Sequence, residues 1–312
     1  MISTPQTASA DPRANRGASG SVVEVPTGSA PAPPAYPRVS VILATYNERA
    51  NLEPLISAIG RLGLPDVEFV VVDDGSTDGT REFLRDRQAH DARMKVLLHN
   101  GRQTLTKAQC EGIQRATGGY VVVMDADLQH PPEVIPELLR ALDRGATLAV
   151  ASRYLPGGST GDRTAYRGLL SRGAEAVAKV VVPETRRIRD PLSGFFAFRR
   201  DVFVPLTPGV RGYKLLLFVL VMARRGPVVE VPYHFGSRSF GVSKITEGFG
   251  FVRIFLTETI LVRRLAQTLA RTGDLLRRTG QALNPTTALD LAGARGQRAA
   301  GHDSDSSPPA GP

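Results

Sequence analysis

Between residues 39 and 124, short apolar runs rich in β-branched residues stop abruptly on polar ones. They are Val39–Leu43, Glu68–Val72, Lys95–Leu98 and Tyr120–Met124. Strands that are apolar throughout, rather than alternating, need cover on both faces, which is the habit of a parallel sheet. The segments between them carry helical spacing. Leu52, Leu55, Ile56 and Ile59 share one face of a helix expected over 47–61. Further helices are expected over Thr80–Ala89 and Thr106–Ala116, and from near Pro131-Pro132-Glu133. This alternation predicts an α/β chain with a doubly wound, mainly parallel sheet flanked by helices. In such sheets, ligands bind beyond the carboxyl ends of the strands.

Those strand ends gather the polar residues. Thr45, Tyr46 and Glu48 follow the first run, Asp73 and Asp74 the second, and Asp125, Asp127 and Gln129 the last. Helix capping accounts for one acid per turn, and Ser76 or Asp78 suits that role. It accounts poorly for Asp73-Asp74 together with Asp125-x-Asp127, because adjacent like charges repel unless donors or a cation balance them. Two hard carboxylates at one strand end, with Gln129 beyond them, suit Mg²⁺ or Mn²⁺. Such ions take one or two carboxylates and complete their shell with phosphate oxygens. Neither the P-loop pattern nor the Gly-x-Gly-x-x-Gly fingerprint occurs, which argues against P-loop NTPases and dinucleotide dehydrogenases.

The flanks differ from this core. Residues 1–37 hold seven prolines among Ala, Ser, Gly and Thr, and 280–312 close on Ser, Asp and Pro. Neither segment has the apolar surface to offset its ordering entropy, so both read as disordered tails around a folded part over 38–279. The first tail lacks the apolar stretch of a signal peptide, so export is not expected. The single cysteine, Cys110, excludes a disulfide framework and a cysteine-built zinc site. On its expected helix it reads as a small buried group. With no Trp and only 6% aromatics, a broad base-stacking platform is unlooked for.

The tripeptide Asp125-Ala126-Asp127 lies in Met124–Pro132. Together with Ala44–Glu48 and Val72–Thr80, this stretch resembles an inverting family-2 glycosyltransferase of GT-A fold. Ser152-Arg153-Tyr154, Arg189–Ala197, Phe235–Arg238 and Ser243-Lys244 resemble the dolichyl-phosphate and polyprenyl-phosphate mannose synthases within it. The likeness runs from about Val39 to Lys244, so 38–247 is identified as the GT-A domain. It implies transfer of mannose from GDP-mannose to a polyprenyl or dolichyl monophosphate. It implies that Ala44, Tyr46, Glu48, Val72 and Asp74 hold the donor nucleoside, with Ala126 beside the donor. Asp125, Asp127 and Gln129 would bind the Mg²⁺ or Mn²⁺ cofactor. Lys214, Arg238 and Lys244 would meet the donor, Arg153 and Arg167 the acceptor phosphate, and Asp190 would assist positioning. Of these, Asp127, Arg153 and Asp190 are the catalytic candidates. The chain departs from the family at Asn100–Lys107, where a Gly-rich turn is usual, and at Ala44, where Pro is usual.

Structural readings stand beside several of these. Arg153 and Arg238 also suit exposed, solvated positions. Lys214, before the apolar run Leu215–Ala223, also suits a core-edge lysine, and Phe195 and Phe196 suit the core. His130, beside Pro131-Pro132, reads as structural. A phosphate acceptor is already an anion and needs no strong base, consistent with a site of Arg, Lys and carboxylates without a Ser/His/Asp triad.

The net charge of +9 calls for an anionic partner. Residues 250–300 carry eight arginines against three acids. Interleaved with Phe249, Phe251, Ile254, Phe255, Ile260, Leu261, Leu265 and Leu269, they predict a basic amphipathic helix over 248–279. Two occupants suit its apolar face: an anionic membrane surface, or the catalytic domain or a membrane subunit. No run of 18 apolar residues occurs, so the expectation is a cytoplasmic protein held peripherally at the membrane. A UDP-sugar donor, or another acceptor, is the alternative. A nucleic-acid binder would explain the basic segment but not the grouped acids, and no nucleic acid is expected.

Overall fold

The computed structural model describes residues 37–161, 165–205, 212–237 and 249–279. Apart from Pro37, both expected tails lie outside these residues. The apolar runs do form a sheet. β1 (Val39–Thr45) lies between β2 (Val67–Asp73) and β4 (Tyr120–Asp125), parallel to both, with β3 (Met94–Leu98) outside β2. Three strands not resolved in the sequence reading extend it to seven, in the order β3-β2-β1-β4-β6-β5-β7. β5 (Leu148–Ser152) and β7 (Val228–Pro232) are parallel to each other, and β6 (Phe196–Arg199) runs antiparallel between β4 and β5.

Both faces are covered, as continuous apolar strands require. Val41, Leu43, Val71 and Met124 pack under α1 (Arg49–Gly60) and α4 (Ile135–Asp143), with Leu84 from α2 (Thr80–His90). The intervening Ile42, Val70, Val121 and Val123 face α3 (Leu105–Arg115), α5 (Ala165–Val181) and α6 (Leu215–Met222). Residues Leu215 to Val221 of α6 are all buried, and a helix apolar all round needs cover on every side. Part of that cover comes from α7 (Phe249–Thr279), through Phe255, Val262 and Ala266.

The C-terminal amphipathic helix is therefore present, and its main apolar face packs on the domain. Leu261, Leu265 and Leu269 also turn toward this core. What remains outward is a narrower stripe of Val252, Leu256 and Ile260, 42%, 42% and 52% exposed, one turn apart. Phe249 and Phe251 have side chains outside the described residues.

The first helix begins at Arg49, later than its periodicity suggests, because Asn47 has φ of 53° and cannot continue a helix backwards. Its side chain accepts from Thr77 N at 2.8 Å, joining the loops after β1 and β2. At the opposite edge of the sheet, Glu68 is buried and accepts from Ser40 Oγ (2.5 Å), Thr117 N (2.6 Å) and Thr117 Oγ1 (2.8 Å), with Lys95 Nζ at 2.8 Å. Burial alone would raise its pKa. Lys95, Ser40 and Thr117 outweigh burial and hold it down at about 2. This cluster closes the edge away from the candidate site.

Because the folded-state pKa is depressed, Glu68 contributes stability that is complete above about 4.5 and is lost as pH falls toward about 2. Glu68→Gln is expected to lower unfolding free energy by about 2 kcal/mol at pH 7. Urea titrations at several pH values should show that gap closing across this acidic window.

Candidate functional site

The register brings three strand ends level, with Ala44 of β1 opposite both Val72 of β2 and Asp125 of β4. The acids beyond these ends divide by role. Asp73 is fully buried and accepts from Gly75 N (3.2 Å), Ser76 N (3.0 Å) and Thr45 Oγ1 (3.2 Å), and from Ser76 Oγ. Asp78 accepts from Arg49 N (3.1 Å), Thr80 N (3.1 Å) and Thr80 Oγ1 (2.6 Å). Both therefore fix loops, and neither is the N-cap of α2, which is Gly79 without a side-chain cap bond.

Asp74 differs. Its Oδ2 accepts from Gln103 N at 3.3 Å, while its buried Oδ1 has no hydrogen-bond partner. Burial raises its pKa, with the charges of Asp73 and Glu111 adding to that, and Gln103 and His99 opposing it. A buried acceptor without a donor is a natural place for a ligand N–H or O–H. Glu48, also buried, accepts from Asn51 Nδ2 at 2.6 Å, and its own N donates to Thr80 Oγ1 at 3.1 Å.

The departure at Asn100–Lys107 is structurally accommodated. Gly75, at φ of 82°, lies against Gly101, where a Cβ would come within 3.2 Å of Gly101 N. The Arg102 guanidinium sits 4.3 Å above the Tyr46 ring, and Gln103 N reaches Asp74. The segment thus packs on two of the expected nucleoside residues. A lone arginine in a polar loop gives no sequence signal for this contact of Arg102.

At the end of β4, Asp125 is partly exposed and Asp127 buried. Leu128, at φ of 63°, turns the chain so that Gln129 N donates to Asp127 Oδ1 at 3.1 Å. Gln129 Nε2 donates to Gly236 O at 3.1 Å. His130 is structural, as expected. It is buried, stacks on Phe195 at 5.2 Å, and accepts from Asp125 N at Nδ1 (3.0 Å). Burial, aided by Arg153 and Lys214 against Asp127, lowers its pKa to about 4, so it is neutral at pH 7. Gly194 leaves room here, since a Cβ on it would lie 3.1 Å from the His130 ring and 3.3 Å from Asp125 Oδ2. Phe195 and Phe196 are fully buried, and Cys110 is buried with its thiol pushed up to about 12, chiefly by desolvation.

Arg153 is not a solvated surface residue. Its Nε and Nη2 fork onto Asp190 Oδ2 and Oδ1, both at 2.7 Å, and both residues are buried. Burial opposes the guanidinium charge, and Asp190 more than offsets it, leaving the pKa raised. Behind the pair, Glu230 accepts from Arg189 N (2.8 Å) and Asp190 N (3.0 Å). A lone acid inside the apolar strand Val228–Pro232 was the readable signal for that support. Partly buried Lys214 precedes α6 and donates from Nζ to Leu192 O at 3.1 Å. Burial and Arg153 lower its pKa, with Asp125, Asp190 and Glu258 opposing.

Arg167 lies in α5, where its side chain is outside the described residues, as are Arg238 and Lys244 entirely. Among the described residues no cluster of three or more His, Cys, Asp or Glu side chains is arranged to hold a metal. Asp125 and Asp127 nevertheless supply the two carboxylates that a Mg²⁺ or Mn²⁺ ion needs when a diphosphate completes its shell, so the residues fit such an ion.

The model of glycosyl transferase family 2 matches residues 40–205. The chain belongs to that family. Over 210 residues it is 44% identical to a dolichol-phosphate mannosyltransferase of Pyrococcus furiosus, an alignment spanning 67% of this chain and 59% of that protein. It is 35% identical over 222 residues to the dolichol-phosphate mannosyltransferase of Saccharomyces cerevisiae, covering 66% and 80% of the two chains. It is 36% identical over 220 residues to a polyprenol monophosphomannose synthase of Mycolicibacterium smegmatis, covering 67% and 81%. Among solved structures, glucosyl-3-phosphoglycerate synthase of Mycobacterium tuberculosis with UDP superposes at a TM-score of 0.55 and 24% identity, over 73% of this chain and 80% of that one. That likeness shows the shared GT-A fold of this family-2 chain.

Replacing Asp190 by Asn keeps its shape but removes the charge facing Arg153. Stranding a buried guanidinium is expected to cost about 3 kcal/mol, read as a lower midpoint in urea unfolding.

Proposed function

We propose that this family-2 chain transfers mannose, with inversion, from GDP-mannose to a polyprenyl or dolichyl monophosphate at the cytoplasmic face of a membrane. The supporting observation is the pair of carboxylates, Asp125 and Asp127, at the end of β4, level with the ends of β1 and β2, in a chain up to 44% identical to dolichol-phosphate mannosyltransferases. In this reading Asp74 and Glu48 accept from the nucleoside, Tyr46 packs on it, and Ala44, Val72 and Ala126 shape the floor. A Mg²⁺ or Mn²⁺ ion held by Asp125 and Asp127, with Gln129, would supply positive charge to the leaving diphosphate.

An acceptor phosphate oxygen attacks the anomeric carbon as the bond to the diphosphate oxygen breaks. The acceptor enters as an anion, so no protein base is required. The chain's own task is alignment and charge. Arg153, held rigid by Asp190, would meet the acceptor phosphate, and the family resemblance assigns Arg167 to the same group. Lys214 would meet the donor, and the family resemblance assigns Arg238 and Lys244 to it as well. His130, being neutral, keeps the Asp125 backbone in place without adding charge.

No helix among the described residues is long and apolar enough to cross a membrane. The outward Val252, Leu256 and Ile260, flanked by exposed Arg253, Arg263 and Arg264, suit shallow contact with anionic lipid. A polyprenyl acceptor would then be met where it resides.

Transfer of radiolabelled mannose into chloroform-extractable lipid, with polyprenyl phosphate and Mg²⁺ or Mn²⁺ supplied, tests the reaction. Wild type is expected to form product, and Asp127→Ala to lose it by about 100-fold or more. Product from UDP-glucose but not GDP-mannose would replace the donor and leave the mechanism standing. In flotation with phosphatidylglycerol vesicles, the triple change of Val252, Leu256 and Ile260 to Ser is expected to abolish binding. Equal flotation of variant and wild type would remove the lipid contact.

A further inference from the structure

An acid on the inner face of α7 has no part in the chemistry above. Glu258 is fully buried, three residues after Phe255 and four before Val262, on the face that packs against the domain. Its Oε1 accepts from Lys214 N (3.1 Å) and Thr106 Oγ1 (3.0 Å), and its Oε2 accepts from Tyr213 N (3.1 Å). A carboxylate amid apolar residues costs stability unless such donors meet it. Here the donors come from two other elements.

Each of those elements leads to the candidate site. Tyr213 and Lys214 form the approach to α6, and the Lys214 side chain ends on Leu192 O beside the Asp190 loop. Thr106 lies in the first turn of α3 and also donates its N to Gly212 O at 3.1 Å. Directly before that turn stand Gln103, on Asp74, and Arg102, over Tyr46. One carboxylate thus joins α7, the Lys214 backbone and the start of the helix that follows the nucleoside loop. Gly212 is part of the fit, since a Cβ there would fall 2.1 Å from the Glu258 carboxylate carbon.

We propose that Glu258 is a positioning residue, through which the seating of α7 sets Lys214 and the loop before α3 and thereby the affinity for the nucleotide-sugar donor. It touches no substrate and acts only through the groups it holds. The proposal rests on the reading of this site as a donor site.

Two substitutions reach the contact from opposite sides. Glu258→Gln keeps the shape but makes one of the two acceptor positions a donor, which then opposes an N–H. Gly212→Ala leaves every charge in place and pushes the carboxylate away. In the full-length chain both are expected to weaken donor binding about tenfold by calorimetry, roughly one lost hydrogen bond to a charged group. Both are also expected to speed amide exchange at residues 104–107 and 213–217, while thermal unfolding remains a single cooperative transition. Donor affinity within twofold of wild type in both variants would overturn the proposal. So would a loss that only tracks the fraction of unfolded protein, or exchange that is unchanged in both segments. The titration is run with GDP-mannose and with UDP-glucose. Wild type that binds only the latter refutes the proposed donor, whereas the variant-to-wild-type ratio still decides the role of Glu258.

Discussion

The buried pair of Arg153 and Asp190 ties the end of β5 to the loop that leads into β6, and much of the site is arranged around it. Neither charge has water to solvate it, so each is tolerable only in the other's presence. The bidentate geometry fixes the planes of both groups, and Glu230 fixes the backbone that carries Asp190. From that anchored loop the chain passes Leu192, which receives Lys214, and Gly194, which makes room for Asp125 and His130. It then enters β6, the antiparallel strand that joins β4 to β5. A short, buried ion pair therefore spaces the cations and the strand-end acids relative to one another.

The first four strands were legible because they are almost wholly apolar, with Ser40, Glu68 and Lys95 the exceptions near their starts, and the amphipathic helices between them because their spacing is regular. β6 escaped notice because four residues, Phe196–Arg199, carry no period, and their place depends on strands distant in sequence. The site was legible as residue types at strand ends. Its division of labour was not. Asp73 and Asp74 are equivalent in a sequence, yet one is enclosed by the donors of its own turn and the other keeps a buried oxygen without a hydrogen-bond partner. Only the path of the turn, set by Gly75 at positive φ, separates them.

The last helix was legible as basic and amphipathic, but a one-dimensional pattern does not say which stripe faces what. Its wider apolar stripe encloses α6, a helix too apolar to stand exposed, and a thinner stripe remains outside among arginines. Glu258 was visible in sequence only as an acid offsetting arginines. Its position on the same face as Phe255 and Val262 was the periodic clue that it points inward.

The order in which these parts leave the ribosome has its own consequence. α7 is the last described element of the chain, and it carries the acceptor for donors near residues 106 and 213. During synthesis, the sheet and α6 are complete while those donors and the apolar side of α6 still await cover. The cover that α7 gives to α6, and the acceptor it gives to Thr106, Tyr213 and Lys214, are thus the last of these contacts to become available. A chain cut short before residue 249 would leave α6, apolar on every side, without the part of its cover that Phe255, Val262 and Ala266 supply, the kind of exposed surface that quality-control proteases recognise.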